Sequence, residues 1–161
     1  ISECLVGSEM CIRDSPNVGI AKGSDDAYVF IYVKNAMVKD DTAAQNTPYF
    51  ALNDNWKPVG GQVTSSADGQ YLSGLFMYAK GATDDKPVAL PAKSATEDVY
   101  TGELFSKVVF PGTLEGSMVA TNPTMKVSAY IFGADQTDGN TSAADNAVTQ
   151  AKTWANTIKN Q

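Results

Sequence analysis

The chain has 161 residues, of which 43% are hydrophobic and 19% charged, with a formal net charge of -6 and no histidine. That length holds one domain with a real core and is too short for two comfortable ones. The acidic balance argues against a nucleic-acid partner, which needs a basic face. Without histidine the chain cannot build a Ser-His-Asp triad, a Cys-His pair or a His-based zinc site.

The chain opens on "ISECLVGSEMCIRDS", which holds both cysteines, Cys4 and Cys11, and the only arginine, Arg13. Its apolar residues follow neither the helix nor the strand period, and it lacks the ordered regions of a signal peptide. It resembles a translation of sequencing-adaptor DNA. Residues 1–15 are therefore expected to be a non-native segment standing where a signal peptide and a first strand belong. Residues 16–161 are expected to form a single β-sandwich domain. From Pro16 onward there is no cysteine, so no disulfide is expected within that domain and a structural zinc is not expected.

"DAYVFIYVKN" is the strongest strand signal, with Tyr28, Phe30 and Tyr32 on one face and Val29, Ile31 and Val33 on the other. Both faces are apolar, as in a central strand covered on both sides. A polar loop, "KDDTAAQNT", follows. Tyr49, Phe50 and Leu52 read as a short strand, and residues 53–55 as a turn. Trp56 opens a further strand, expected to end near Pro58 to Gly61.

"QYLSGLFMYAKGA" places Tyr71, Leu75, Met77 and Ala79 against Leu72, Phe76 and Tyr78, and Gly74 within it signals a bulge. "EDVYTGELFSKVVFPG" is an extended run carrying Val99, Leu104, Phe105, Val108 and Phe110. In "TMKVSAYIFGAD", Met125, Val127, Ala129 and Ile131 share one face, with Tyr130 and Phe132 on the other. The closing segment sets Val148, Ala151, Ala155 and Ile158 at helical spacing with Trp154 beside them. Thr141 or Ser142 is the expected cap and Asp145 lies in the first turn, giving a helix of about four turns. No stretch approaches the roughly 20 apolar residues of a membrane span. The fold class is mainly β: an antiparallel, jelly-roll-like sandwich with a C-terminal α-helix.

Candidate chemistry is sparse. Asp135, Asp138 and Asn140 are hard oxygen ligands that suit calcium, but their spacing does not match an EF-hand and a turn before the helix explains them better. The pairs Asp25–Asp26, Asp40–Asp41 and Asp84–Asp85 read as solvated loop charge. Glu97, Asp98, Glu103 and Glu115 offer carboxylates for glycoside chemistry, without a spacing that fixes their separation. Lys22, Lys34, Lys39, Lys80 and Lys107 are dispersed along the chain. No catalytic residue and no cofactor is expected. Tyr28, Phe30, Tyr32, Trp56, Phe76, Tyr78, Phe105, Tyr130 and Trp154 are the candidates for core packing or assembly.

The order of several motifs resembles that of the TasA/camelysin family of exported proteins. "PNVGIAKGSDDAYVF" is similar to the family's entry into its long central strand through Pro16, Val18, Gly23, Asp26, Ala27, Tyr28, Val29 and Phe30. It departs at Ala21 and Lys22, where the family has Asn before the glycine. Trp56 matches the family's tryptophan segment; Thr101, Leu104, Phe105, Val108 and Pro111 match a later strand. "MKVSAYIFGAD" resembles the closing segment, departing at residues 133–135. The resemblance covers Pro16 to Lys159.

It implies a bacterial protein secreted or held at the cell surface after SipW-dependent export, and a subunit of biofilm-matrix fibres. Its partners would be further copies of itself, joined by donor-strand addition, and other matrix proteins. An N-terminal segment would supply that strand, so a chain whose first strand is replaced is expected to be assembly-defective. Two alternatives stand beside this: a camelysin-like surface peptidase, or a surface carbohydrate- or ligand-binding module. With no His and no H-E-x-x-H, the family's metalloprotease label finds no ligands in this chain.

Overall fold

The computed structural model describes residues 15–45, 47–109, 125–135 and 141–161, together with the backbone of 5–6 and 9–11. The strands are β1 (Leu5–Val6), β2 (Glu9–Cys11), β3 (Gly19–Ile20), β4 (Ala27–Asn35), β5 (Val38–Lys39) and β6 (Thr42–Ala43). They continue with β7 (Tyr49–Phe50), β8 (Trp56–Ala67), β9 (Gln70–Tyr78), β10 (Val99–Tyr100), β11 (Lys107–Val109) and β12 (Met125–Gly133). One helix, α1, spans Ala143–Lys159. The chain is mainly β, its sheets antiparallel, with a C-terminal helix, as the alternating patterns predict.

Among the described residues, eight strands form one sheet in the order β1-β2-β11-β7-β9-β4-β12, with β8 pairing β9 off that path. Next to the edge strand β12 lies β4, paired with β12 on one side and β9 on the other. Its two apolar faces bury against different layers. Val29, Ile31 and Val33 join Phe50, Trp56, Phe76, Tyr78, Leu90, Leu104, Phe105 and Val108. Over this face lies a flap made of the small β3–β10 sheet and the segments flanking it, giving a sandwich-like arrangement. Main-chain bonds from Thr101 to Val18 (2.9 Å) and from Leu104 to Pro16 (2.8 Å) hold the flap together. Ser15, the last residue of the odd opening block, is buried and donates to the Phe105 carbonyl oxygen. Trp56 fixes the flap to the sheet by donating its indole N–H to the Gly102 carbonyl at 3.2 Å.

On the other face Phe30 and Tyr32 pack with Val59, Leu75, Met77 and Ala79 beneath α1. The helix buries Ala147, Ala151 and Ala155, four residues apart. Its stripe is therefore centred on alanines. Val148, Trp154 and Ile158, half-buried, pack against the same cluster on either side of it, in keeping with the expected apolar face. Small side chains at that spacing let the helix backbone lie close over the aromatic surface below, and Trp154 stacks on Tyr130 at 5.3 Å.

Three local readings are corrected. β8 does not stop at Pro58–Gly61 but continues to Ala67. Pro58 pairs with Phe76 and Val63 with Gly74, so three surplus residues bulge out, and Gly61 turns the chain at φ 75. Tyr71 shares a face with Phe76, at 5.3 Å, not with Leu75 and Met77. Thr64 pairs with Ser73 and Ser65 with Tyr71, leaving Leu72 as an extra residue that flips the alternation. Over residues 97–109 the run is two short strands with Gly102, φ 78, between them and buried Leu104 and Phe105 outside either strand, while 110–112 lie outside the described residues. Within the loop "KDDTAAQNT", Asp40 and Asp41 turn the β5–β6 hairpin with φ of 49 and 60. Two successive positive φ values give the twist that a two-residue hairpin turn needs.

Candidate assembly edge

β12 ends the sheet. It pairs along its whole length with β4, from Met125↔Asn35 to Gly133↔Ala27, and no described strand pairs its outer edge. Residues directly opposite in an antiparallel ladder share a face. Val127 therefore stands beside Val33, Ala129 beside Ile31, and Ile131 beside Val29. The three residues of β4 are fully buried under the flap. The flap does not reach β12: Val127 is 43% exposed, Ile131 is 51% exposed, and Ala129 is exposed with them. The other face of β12 is covered, because Tyr130 and Phe132 pack under α1.

A nine-residue strand whose outer N–H and C=O groups pair with no described strand, and whose outer face is apolar, is a template for pairing with another chain. Proteins usually blunt such an edge with inward charge, proline or a bulge. Here the β12–β4 register is unbroken, and the only charge on the strand is Lys126, near one end. At the far end of the same sheet the backbone of β2 pairs with β11, Cys11 opposite Lys107 and Glu9 opposite Val109, and β1 completes the hairpin. The backbone of β2 thus occupies the strand position beside β11. Among the described residues the unpaired edge of the sheet is at β12.

The sequence candidates fall as follows. Phe30, Tyr32, Trp56, Phe76, Tyr78 and Phe105 are buried; Tyr28, Tyr130 and Trp154 are half-buried under or beside α1. Asp135 is exposed just past β12, while Asp138, Asn140 and Glu115 lie outside the described residues. Asp25, Asp26 and Asp135 border one shallow pocket with Lys93. Asp26 accepts from the Lys93 amide at 2.9 Å, and the Lys93 ammonium lies 3.9 Å from Asp25. Among the described residues no group of three or more acidic or cysteine side chains is placed to hold a metal. Glu97, Asp98 and Glu103 are exposed, and Asp98 accepts from the Lys22 amide at 3.0 Å.

One grouping was hidden in the sequence. Lys34 and Lys39 meet Lys159, from the far end of the chain, around a pocket of about 300 Å³ beside the end of α1. No periodic pattern links those positions; the β5–β6 hairpin and the docking of α1 bring them together. No family model matches the chain, and neither a curated protein nor a solved structure matches it.

Proposed function

We propose that this chain is an exported structural subunit, of the TasA/camelysin type with a jelly-roll-like build, that joins copies of itself into extracellular fibres by β-strand addition. The observation that carries this reading is the outer edge of β12, which pairs with no described strand, with Val127, Ala129 and Ile131 exposed beside it. Strand addition there satisfies the free main-chain groups and covers the apolar face at once. β1 and β12 end the same sheet on opposite sides. Adding the native N-terminal segment of one copy along the β12 edge of the next leaves one donor segment and one open edge free on the pair. Such a heterologous contact propagates into a filament instead of closing.

Electron microscopy and sedimentation of the full chain test it. The chain with residues 1–15 in place of its first strand is expected to stay monomeric; with that strand restored it is expected to form ordered filaments, and Ile131→Lys in the restored chain, which sets a charge on an exposed edge, is expected to remain monomeric with an unchanged melting temperature. Ordered filaments from the chain without its first strand, a restored chain that stays monomeric at high concentration, or an Ile131→Lys variant of it that forms the same filaments, overturns the proposal.

A further inference from the structure

The pocket beside the end of α1 is built from β4, the β5–β6 hairpin, β9 and the last residues of the helix. Its polar groups divide into spent and unspent ones. Asn35 is spent: its amide donates to the carbonyls of Pro48 (3.2 Å) and Leu72 (3.1 Å), and its oxygen accepts from the Met37 N–H at 3.0 Å. Lys159 is held by Asp41 at 2.6 Å, and Lys34 reaches the Ile158 carbonyl at 3.4 Å.

Three groups remain. Tyr32 and Ser73 are each only 7% exposed, and neither hydroxyl bonds to a described residue. No fully buried side-chain nitrogen or oxygen among the described residues lacks a partner, so both hydroxyls open into the pocket. Tyr32 lines the pocket together with Lys159 and Asp41. Lys39 lines the rim with no partner among the described residues.

Two nearly buried hydroxyls facing one cavity, next to an unspent ammonium, make a polar site with unmet bonding capacity. Three ammonium groups, Lys34, Lys39 and Lys159, face two carboxylates, Asp40 and Asp41, leaving one net positive charge. That balance suits a monoanion, while the two aspartates oppose a dianion such as phosphate at neutral pH. The volume sits at the lower limit for small-molecule clefts. We infer that this pocket binds a small hydroxylated carboxylate of the sugar-acid class, its carboxylate on Lys39 and its hydroxyls on Tyr32 and Ser73. The site lies on the helix-covered side of the sheet, apart from the exposed face of β12, and does not depend on assembly.

Titration of the full chain with sodium galacturonate, followed by amide NMR, tests this. Saturable shifts are expected at Lys34, Lys39, Ser73 and Lys159. Galactose, lacking the charge, and Lys39→Met, at an exposed position that leaves the fold intact, are each expected to weaken binding about tenfold, the weight of one charge-assisted hydrogen bond. Tyr32→Phe keeps the ring and is expected to weaken it about threefold by loss of a neutral bond. Absence of saturable shifts at these amides, an equal response to galactose, or an unchanged affinity of Lys39→Met overturns the inference.

Discussion

Val33 and Val127 face each other across the β4–β12 ladder, yet Val33 is fully buried and Val127 is 43% exposed. The same residue type, on adjacent strands and the same face of one sheet, meets the flap in one case and solvent in the other. Val33→Ala removes methyl groups from a packed interior and is expected to cost about 2 kcal/mol. Val127→Ala removes them from a wet surface and is expected to change stability by less than about 0.5 kcal/mol. Urea denaturation of the two variants under non-assembling conditions checks the contrast. Equal costs would mean that β12 is covered in the monomer.

Gly74 lies opposite Val63, where the surplus residues of β8 rejoin the ladder. Its φ of 132 is one that L side chains rarely adopt, and a Cβ there would collide with the Gln62 carbonyl oxygen and Val63 Cα. Gly74→Ala is expected to destabilise the fold by about 2 kcal/mol or more, as strained backbone and a main-chain clash add. Gly69→Ala, at φ 73 in the tight β8–β9 turn with open space around it, carries the strain without the clash and is expected to cost less. Thermal denaturation of the two variants separates those contributions.

The N-terminus of α1 is predicted to loosen in acid. Ser142 caps it, accepting from the Asp145 amide at 3.2 Å and donating its hydroxyl to the Asp145 carboxylate at 2.7 Å. That bond first, and then one from Lys86 at 3.3 Å, holds the Asp145 carboxyl below its ordinary value of 3.8. A carboxyl with a lowered value in the folded chain stabilises above the unfolded value, and the effect is lost as pH falls through the folded one. The protection of the first turn of α1 against hydrogen exchange, relative to the intrinsic rate at each pH, is expected to fall on acidification below about pH 4, the unfolded carboxylate range. Ser142→Ala is expected to cost about 1 kcal/mol at neutral pH, the usual weight of a cap, and to flatten the acid response. An acid response identical in Ser142→Ala would assign the effect to other carboxylates.

The strand Ala27–Asn35 and the helix Ala143–Lys159 were legible in the chain because each carries its period in its own residues. Tyr28, Phe30 and Tyr32 alternate with Val29, Ile31 and Val33, and Ser142 announces the cap. The mainly β class with a closing helix follows from such local patterns. The continuation of β8 past Pro58 was not legible, because glycines and a proline mark a break in any one strand. Only the partner β9 shows that they are a bulge within a continuing ladder.

Two things were decided by tertiary structure alone. Alternation says that Val127 and Ile131 share a face, but it cannot say where the covering layer stops. That boundary depends on contacts between the flap and β4, far apart in sequence. Likewise Lys34, Lys39 and Lys159 are scattered charges until α1 docks, because a pocket is a property of which backbone segments come to lie side by side. The chain by itself determined how each segment pairs and buries; the meeting of segments determined which apolar face and which polar groups were left without partners, and those are where function is proposed.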